Sequence, residues 1–483
     1  MNTSLVAPGA RLIDATTGDT LTGESLTSAI GAVAGTVAGF PTGAVFARTG
    51  LTVRAALSYL GCWEAHRPVV LLDPALNPQT LADMVRRFTP AAIVGLDEGG
   101  AGANPGELPP GYERQVFEAI GPAWVRRGDV AAAPQPHPDL GLMLATSGST
   151  GDPKLVRLSR TAIASNAVAI GQVLHLDSNE IAPTSLPLFY SYGMSVLNSH
   201  LAAGAAVVVV DGGVLSRDFW AAVDRYQATS LAGVPYNYEM LAKIRWSPAK
   251  HPSLRMLTQA GGRLRNEMIL AYHEKIQALG GRFYVMWGQT EAGPRMSTLP
   301  AERLPEYVGS PGCAVPGGSL SVRTEDGTET QQAGVEGEII YRGSNVMMGY
   351  ADNAADLSRG DDLGGVLATG DLGYLDEEGF LFLTGRLKRI GKVFGIRVNL
   401  DDIEKMVGRS AVDGVGPVAA VPAGDGVVVW CEGDLDASRR AEIAKLLAER
   451  MKVHRSGFDV RAIDVLPLLS NGKVDYKALE ANT

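Results

Sequence analysis

Short apolar runs alternate with amphipathic stretches over about the first 390 residues, and that alternation confines the chain to one broad class of fold. The runs at 43–46, 68–72, 91–94, 205–210 and 283–286 read as buried strands, and the stretches at 53–63 and 79–88 carry helical spacing. Strand, helix and strand repeated in this order predict an α/β fold, with layered and mainly parallel sheets covered by helices. Gly- and Pro-rich segments at 98–111 and 131–138 read as surface connections. No internal period recurs.

The texture changes after Arg386. A basic cluster of Lys388, Arg389 and Lys392 precedes about ninety residues with their own alternation: apolar runs at 415–421 and 426–430, then a helix at 437–451. That is enough for a small α+β domain. The expected organisation is therefore a large domain over 1–386 and a small, mobile one over 387–483, broken at Leu387–Lys388.

With 483 residues the chain exceeds one ordinary core, in keeping with two domains. A net charge of -9 with no concentrated basic surface opposes a nucleic-acid role. The longest apolar run, at 201–210, is half a membrane span, so no membrane role is expected. The amino terminus lacks a basic region followed by an apolar stretch, so no signal peptide is expected either. Cys62, Cys313 and Cys431 lie far apart and form no metal or redox spacing, which suits a reducing cytoplasm.

The segment with the most chemistry is Thr146-Ser147-Gly148-Ser149-Thr150-Gly151-Asp152-Pro153-Lys154, fed by the apolar Leu142-Met143-Leu144-Ala145. Glycines let backbone N–H groups approach phosphate oxygens, hydroxyls add donors, and Lys154 supplies charge. A Walker loop it is not, because that motif requires Gly-Lys-Ser/Thr after four intervening residues. Composition alone fits a Ser/Gly-rich surface turn; nine ordered positions after a buried strand do not.

Thr146 to Lys154 resembles the signature loop of the adenylate-forming superfamily, which includes acyl-CoA synthetases, aryl-acid ligases, luciferases and peptide-synthetase adenylation domains. Further motifs follow in that family's order over nearly the whole chain. Tyr284-Val285-Met286-Trp287-Gly288-Gln289-Thr290-Glu291 resembles the aromatic-Gly-x-Thr-Glu motif, with Trp287 where tyrosine is usual. The resemblance implies that Trp287 stacks on adenine, Thr290 meets the α-phosphate, and Glu291 is the Mg²⁺ ligand. Gly261-Gly262-Arg263 matches the small-residue turn beside the adenine, to which Met286 and Gly288 also belong. Thr369-Gly370-Asp371 and Gly385-Arg386 resemble the ribose-binding pair.

The carboxy-terminal motifs complete the set. Lys388 matches the interdomain hinge, and Lys392 and Gly395 fall in the loop that serves the second half-reaction, Gly395 leaving room for a pantetheine arm. Arg389 reads equally well as part of a basic linker. Lys473, behind Ser470-Asn471-Gly472, matches the lysine that bridges substrate carboxylate and α-phosphate.

The resemblance implies an ATP-dependent ligase that adenylates a small organic carboxylate, releases pyrophosphate and then transfers the acyl group. The acyl pocket would include Tyr190, Ser191, Gly193, Gly288 and Pro294. Relatives that take amino acids carry aspartate where Tyr190 stands, and an unpaired buried ammonium would cost about 3–5 kcal/mol. An α-amino acid is therefore disfavoured, and the tyrosines point to an aromatic or medium acyl acid. CoA is the expected acceptor, supplied from outside the chain, with a separate acyl carrier protein as the alternative. Adenylation of another oxyanion such as nitrite, as in diazotases, is a third reading. A P-loop kinase is opposed by the missing Walker lysine. A catalytically silent nucleotide-binding protein is opposed by the presence of Thr290, Glu291, Asp371, Arg386 and Lys473 together.

Overall fold

The structure, a computed structural model, describes residues 4–99, 104–128, 133–146, 154–387, 389–394, 396–408, 410, 412, 414–469 and 472–483. Two compact units divide the chain: Met1–Ser319 with Tyr341–Leu367, and Leu320–Ile340 with Ala368–Thr483.

The first unit holds three sheets with helices between them. In the eight-stranded sheet the central strands Leu140–Thr146, Val69–Leu72, Val45–Arg48 and Ala92–Val94 run parallel. Antiparallel strands flank them on both sides, Lys154–Ser159 and Gly349–Ala351 at one edge, Gly121–Arg126 and Tyr112–Phe117 at the other. A second sheet begins with three parallel strands, Ser230–Gly233, Met256–Gln259 and Arg282–Trp287, and ends antiparallel through Ser297–Leu299. Parallel centres are thus closed by antiparallel edges, which is how such sheets reconcile buried faces with hairpin connections. The four central strands of the large sheet are largely buried and apolar, Arg48 and the exposed Ala145 excepted, as burial on both faces demands.

Local chemistry explains the helices that the periodicity predicts. Val53–Glu64 starts where the Thr52 hydroxyl accepts from Ala55 N at 3.0 Å, and Pro78–Phe88 where the Asn77 side chain accepts from Gln79 N at 2.8 Å. No helix among the described residues is long and apolar enough to cross a membrane.

The second unit joins an antiparallel sheet, which includes Val366–Leu375 and Leu381–Arg386, to a smaller α+β body. That body holds the strands Val418–Ala423, Gly426–Glu432 and Phe458–Ile463 and the helices Leu400–Gly408 and Ala437–Met451. Its core is Val393, Ile403, Val429, Ile443 and Leu447. Within this unit the strand Leu381–Arg386 touches the strand Ile396–Asn399 and the helix Leu400–Gly408. Lys405 Nζ donates to Thr384 O, and a side chain at Gly385 would overlap Asn399 Nδ2, 1.9 Å from the added carbon.

Candidate active site

The strand Arg282–Trp287 and its antiparallel neighbour Ser297–Leu299 are joined by a loop that carries Thr290 and Glu291. Thr290–Ala292 form one 3₁₀ turn, ended by Gly293 at φ 68°, and the Gly293–Pro294 peptide is cis. Gly288 is obligatory here, since a Cβ on it would lie 1.7 Å from Pro294 O. Two buried asparagines clamp the loop from a distance. Asn166 Nδ2 donates to Arg295 O at 2.7 Å, and Asn345 Nδ2 donates to Ala292 O at 2.7 Å and to Arg295 O at 3.2 Å. Loop carbonyls that would otherwise be orphaned are satisfied, so the turn is held in one shape.

That turn presents Thr290 to Ser191 at the start of the helix Ser191–Ala202, where the two hydroxyls share a hydrogen bond of 3.2 Å. Beside it, Tyr350 Oη donates to Glu291 Oε1 at 2.7 Å. Tyr350 lies on the edge strand Gly349–Ala351, opposite Val156 on the strand that begins at Lys154. Lys154 Nζ stands 3.6 Å from Asp352. Strand pairing thus brings the end of the predicted phosphate loop alongside Glu291. Thr146 and Lys154 are register partners in antiparallel strands, so the loop between them turns strand into strand. A Walker loop leads from a strand into a helix, which excludes the kinase-type reading. Ser147, Gly148, Ser149, Thr150 and Gly151 lie outside the described residues.

The predicted acyl side is more crowded. Tyr190 and Tyr192 are buried, with ring centroids 6.4 Å apart. Burial pushes both phenols above their ordinary range, so both are neutral donors. The Tyr190 hydroxyl sits where a side chain at Gly261 would begin, 2.3 Å from a Cβ built there. Gly261 has φ +83°, and Gln259 Nε2 closes its turn by donating to Gly262 O at 2.7 Å. Arg263 is exposed at that turn. The space at Gly193 is taken by the chain itself, since a Cβ there would lie 2.2 Å from Pro187 O. Met286 and Trp287, adjacent in one strand, point to opposite faces. Met286 packs with Tyr190 and Tyr192 and accepts at its sulfur from Arg295 at 2.8 Å. A larger open groove, lined by Val173, Tyr284, Thr298 and Cys313, contains none of the predicted site residues.

In the second unit Asp371 and Arg386 are register partners, and Arg386 Nε donates to the buried Asp371 carboxylate at 2.8 Å. Gly370, at φ +71°, and the Thr369 hydroxyl, which accepts from Asp371 N at 3.1 Å, shape that strand end. Lys473 closes a tight hairpin in which Leu469 N donates to Lys473 O at 2.8 Å. Lys392 is exposed on the hairpin Ile390–Val393 with Ile396–Asn399. Arg389 has a structural post: it pairs with Asp401 at 2.8 Å and with Glu404, and lies 3.9 Å over the Tyr476 ring. Lys388 and Gly395 lie outside the described residues.

A family model described as AMP-binding enzyme matches residues 41–351, which include the loop at Thr146 and the turn at Thr290. The chain belongs to the AMP-binding enzyme family. An indoleacetate–CoA ligase of Aromatoleum aromaticum is 31% identical over 378 residues, 74% of this chain and 72% of that one. An oxalate–CoA ligase of Arabidopsis thaliana is 32% identical over 277 residues, 56% of this chain and 53% of that one. The crystal structure of ATP-bound MatB from Rhodopseudomonas palustris superposes with a TM-score of 0.76 at 24% identity, covering 100% of this chain and 99% of that chain.

As a member of the AMP-binding family the chain is an AMP-forming acid ligase. Four residues at its site escaped the sequence reading: Asn166, Asn345, Tyr350 and Arg295. Three act through contacts formed only by folding. Arg295 carried a signal, a lone charge directly after Pro294 in an otherwise uncharged, buried stretch. Among the described residues no three His, Cys, Asp or Glu side chains gather as a metal cage. Glu291 as a single carboxylate still suits Mg²⁺, which is commonly held by one or two carboxylates plus substrate phosphates.

Proposed function

We propose that the chain condenses a small aryl or acyl carboxylic acid with ATP to an acyl-adenylate, releases pyrophosphate and transfers the acyl group to CoA. The observation that carries this reading is the meeting of Ser191, Thr290, Glu291 and Tyr350 on one clamped turn beside the strand that starts at Lys154. Attack of a carboxylate on ATP brings two anions together, so the site must neutralise charge and fix an in-line approach. Thr290 and Ser191 offer hydroxyl donors where the α-phosphate and the acid carboxylate meet, and Lys154 offers charge to the departing pyrophosphate. Mg²⁺ held by Glu291 and the phosphates would supply Lewis-acid stabilisation of the same charge. No general base is required, because the acid is already ionised. Asp371 and Arg386 would hold the ribose, and Trp287 the adenine.

Lys473 is the cation for the adenylation step, and Lys392 and Gly395 serve thioester formation, with residues 387–483 pivoting at Lys388 between the two. The motif matches support that assignment, and CoA as acceptor is supported by the CoA ligases among the relatives. Incubating the protein with ATP, Mg²⁺ and a panel of aryl and acyl acids, with and without CoA, tests the proposal. AMP and pyrophosphate should appear only with an accepted acid, and thioester only with CoA. Formation of ADP, or nucleotide cleavage indifferent to every acid, would refute it.

A further inference from the structure

Arg389 follows the proposed pivot at Lys388, and its guanidinium gathers three parts of the small α+β body. Nε donates to Asp401 Oδ1 at 2.8 Å and one terminal nitrogen donates to Glu404, both on the helix Leu400–Gly408. The other terminal nitrogen donates to Ala420 O at 3.1 Å, on the strand Val418–Ala423. The third part is Tyr476, whose ring lies 3.9 Å from the guanidinium. Tyr476 Oη donates to Glu404 Oε2 at 3.3 Å, while Ala420 N donates to Glu404 Oε1 at 2.7 Å. Two carboxylates meet one guanidinium here, so every further donor to Glu404 offsets charge that Arg389 alone leaves uncompensated. Burial, and then Glu404, push the phenol above its ordinary range, so Tyr476 stays a donor at any working pH.

The ring belongs to the segment that carries Lys473. Tyr476 opens the last helix, Tyr476–Glu480, which Asp475 caps by accepting from Ala478 N at 3.1 Å. Asp475 N donates to Pro467 O at 2.8 Å and closes the base of the Lys473 hairpin. Lys473 is thus three residues, about 10 Å of extended chain, from the clamped ring. Leu479, 1% exposed, docks the same helix in a core with Val421 and Val428. An apolar contact keeps a helix down but is non-directional and lets it slide. A ring stacked on a guanidinium, with its hydroxyl bonded to that guanidinium's own partner, has one position. Side chains alone therefore join the residue beside the pivot to the base of the lysine hairpin.

We propose that Tyr476 is a positioning residue for Lys473. Held between Arg389 and Glu404, it makes the hairpin a stiff arm, so that rotation at the pivot delivers the lysine to one place. This rests on the adenylation role given to Lys473 above and deepens it.

Both half-reactions, measured on the full chain for Tyr476→Leu, Tyr476→Phe, Lys473→Ala and the double variant Lys473→Ala/Tyr476→Leu, test this. Tyr476→Leu should lower kcat for acid-dependent exchange of pyrophosphate into ATP by about 10-fold or more, with KM for ATP within about two-fold, because a misplaced reacting group costs rate rather than binding. Thioester formation from a supplied acyl-adenylate and CoA should change by less than about two-fold, since Lys473 does not serve that step. On the Lys473→Ala background the same substitution should cost less than about two-fold, because losses that act through one group do not add. Tyr476→Phe keeps the packing and loses only the bond to Glu404; it should show the same split between half-reactions at about two- to five-fold. Unchanged exchange in both Tyr476 variants, equal losses in the two half-reactions, or the full extra loss on Lys473→Ala would each overturn the assignment. Lys473→Ala judges the underlying reading separately. If its exchange stays near the wild-type rate, the adenylation role of Lys473 fails and the positioning role falls with it; if only Lys473→Ala loses exchange, the positioning role alone is wrong.

Discussion

Tyr350 donates its phenolic hydrogen to Glu291 Oε1 across 2.7 Å, tying the edge strand Gly349–Ala351 to the turn that carries the proposed magnesium ligand. Burial and the neighbouring carboxylate push the phenol well above its ordinary value, so it stays a donor at any working pH. One carboxylate oxygen is thereby fixed, which orients the other. Tyr350→Phe should leave the fold intact and raise the Mg²⁺ concentration for half-maximal pyrophosphate exchange by about 10-fold or more, the usual effect of removing a partner behind a metal ligand. A magnesium titration of both proteins checks it, and an unchanged midpoint would show that the phenol does not orient Glu291.

Leu469 N donates to Lys473 O, and Leu468 and Val474 form an antiparallel bridge, so the backbone on both sides of Lys473 is held by main-chain pairing. Lys473→Ala should reduce acid-dependent exchange of pyrophosphate into ATP by roughly 10²–10³-fold, the loss of one charge-stabilising donor. Thioester formation from a supplied acyl-adenylate should fall far less. Equal loss in the two assays would remove Lys473 from the adenylation step.

The helix Ala437–Met451 and the strand Arg282–Trp287 were legible because spacing and caps are local; Asp436, for example, caps the helix at its very start by accepting from Arg439 N at 2.8 Å. The motifs that carry Thr290, Glu291, Asp371 and Arg386 can be picked out for the same reason, as short ordered strings. What holds them cannot. Asn166 reaches Arg295 across 129 positions of sequence and Asn345 across 50, and neither distance leaves a local trace. The close approach at Gly193 left no trace either, since a Cβ there meets the Pro187 carbonyl at 2.2 Å and composition does not show that contact. The antiparallel edges of the sheets were hidden as well, because a buried strand's composition does not encode its direction.

Gly288 and Gly31 make a matched test of what glycine does here. A methyl group on Gly288 meets a backbone oxygen, Pro294 O, at 1.7 Å, and no rotamer change can relieve that. Gly288→Ala should destabilise by about 1–3 kcal/mol or more and abolish adenylation, since the loop that must move carries Thr290 and Glu291. Gly31, inside the helix Gly23–Ala38, has nothing within 4 Å of an added Cβ. Gly31→Ala should stabilise by up to about 1 kcal/mol. Thermal midpoints and exchange rates of the two variants separate the cases; equal midpoints would refute the steric account.

His200 makes acid stability a readout of the pocket interior. The residue is 3% exposed, its Nδ1–H donates to Val196 O at 2.9 Å, and its Nε2 lies 3.4 Å from the Ser230 hydroxyl. Burial lowers its pKa from 6.5 to about 4; the Val196 carbonyl and Glu180 pull it back up, and Arg295 pushes it further down. In the unfolded chain the ring protonates near 6.5, so between that pH and about 4 the unfolded state binds a proton the folded state refuses. The contribution of His200 to stability is therefore complete above pH 6.5 and declines as the pH falls toward 4, by roughly 3 kcal/mol in all. His200→Gln, which keeps a polar group without a titrating ring, should flatten that part of the decline. His273, whose pKa burial also lowers, contributes equally to both proteins, so the difference between their profiles belongs to His200. Thermal midpoints taken from pH 7.5 down to 4.5 measure it, and parallel profiles for the two proteins would mean that the folded state accommodates a protonated His200 beside Arg295.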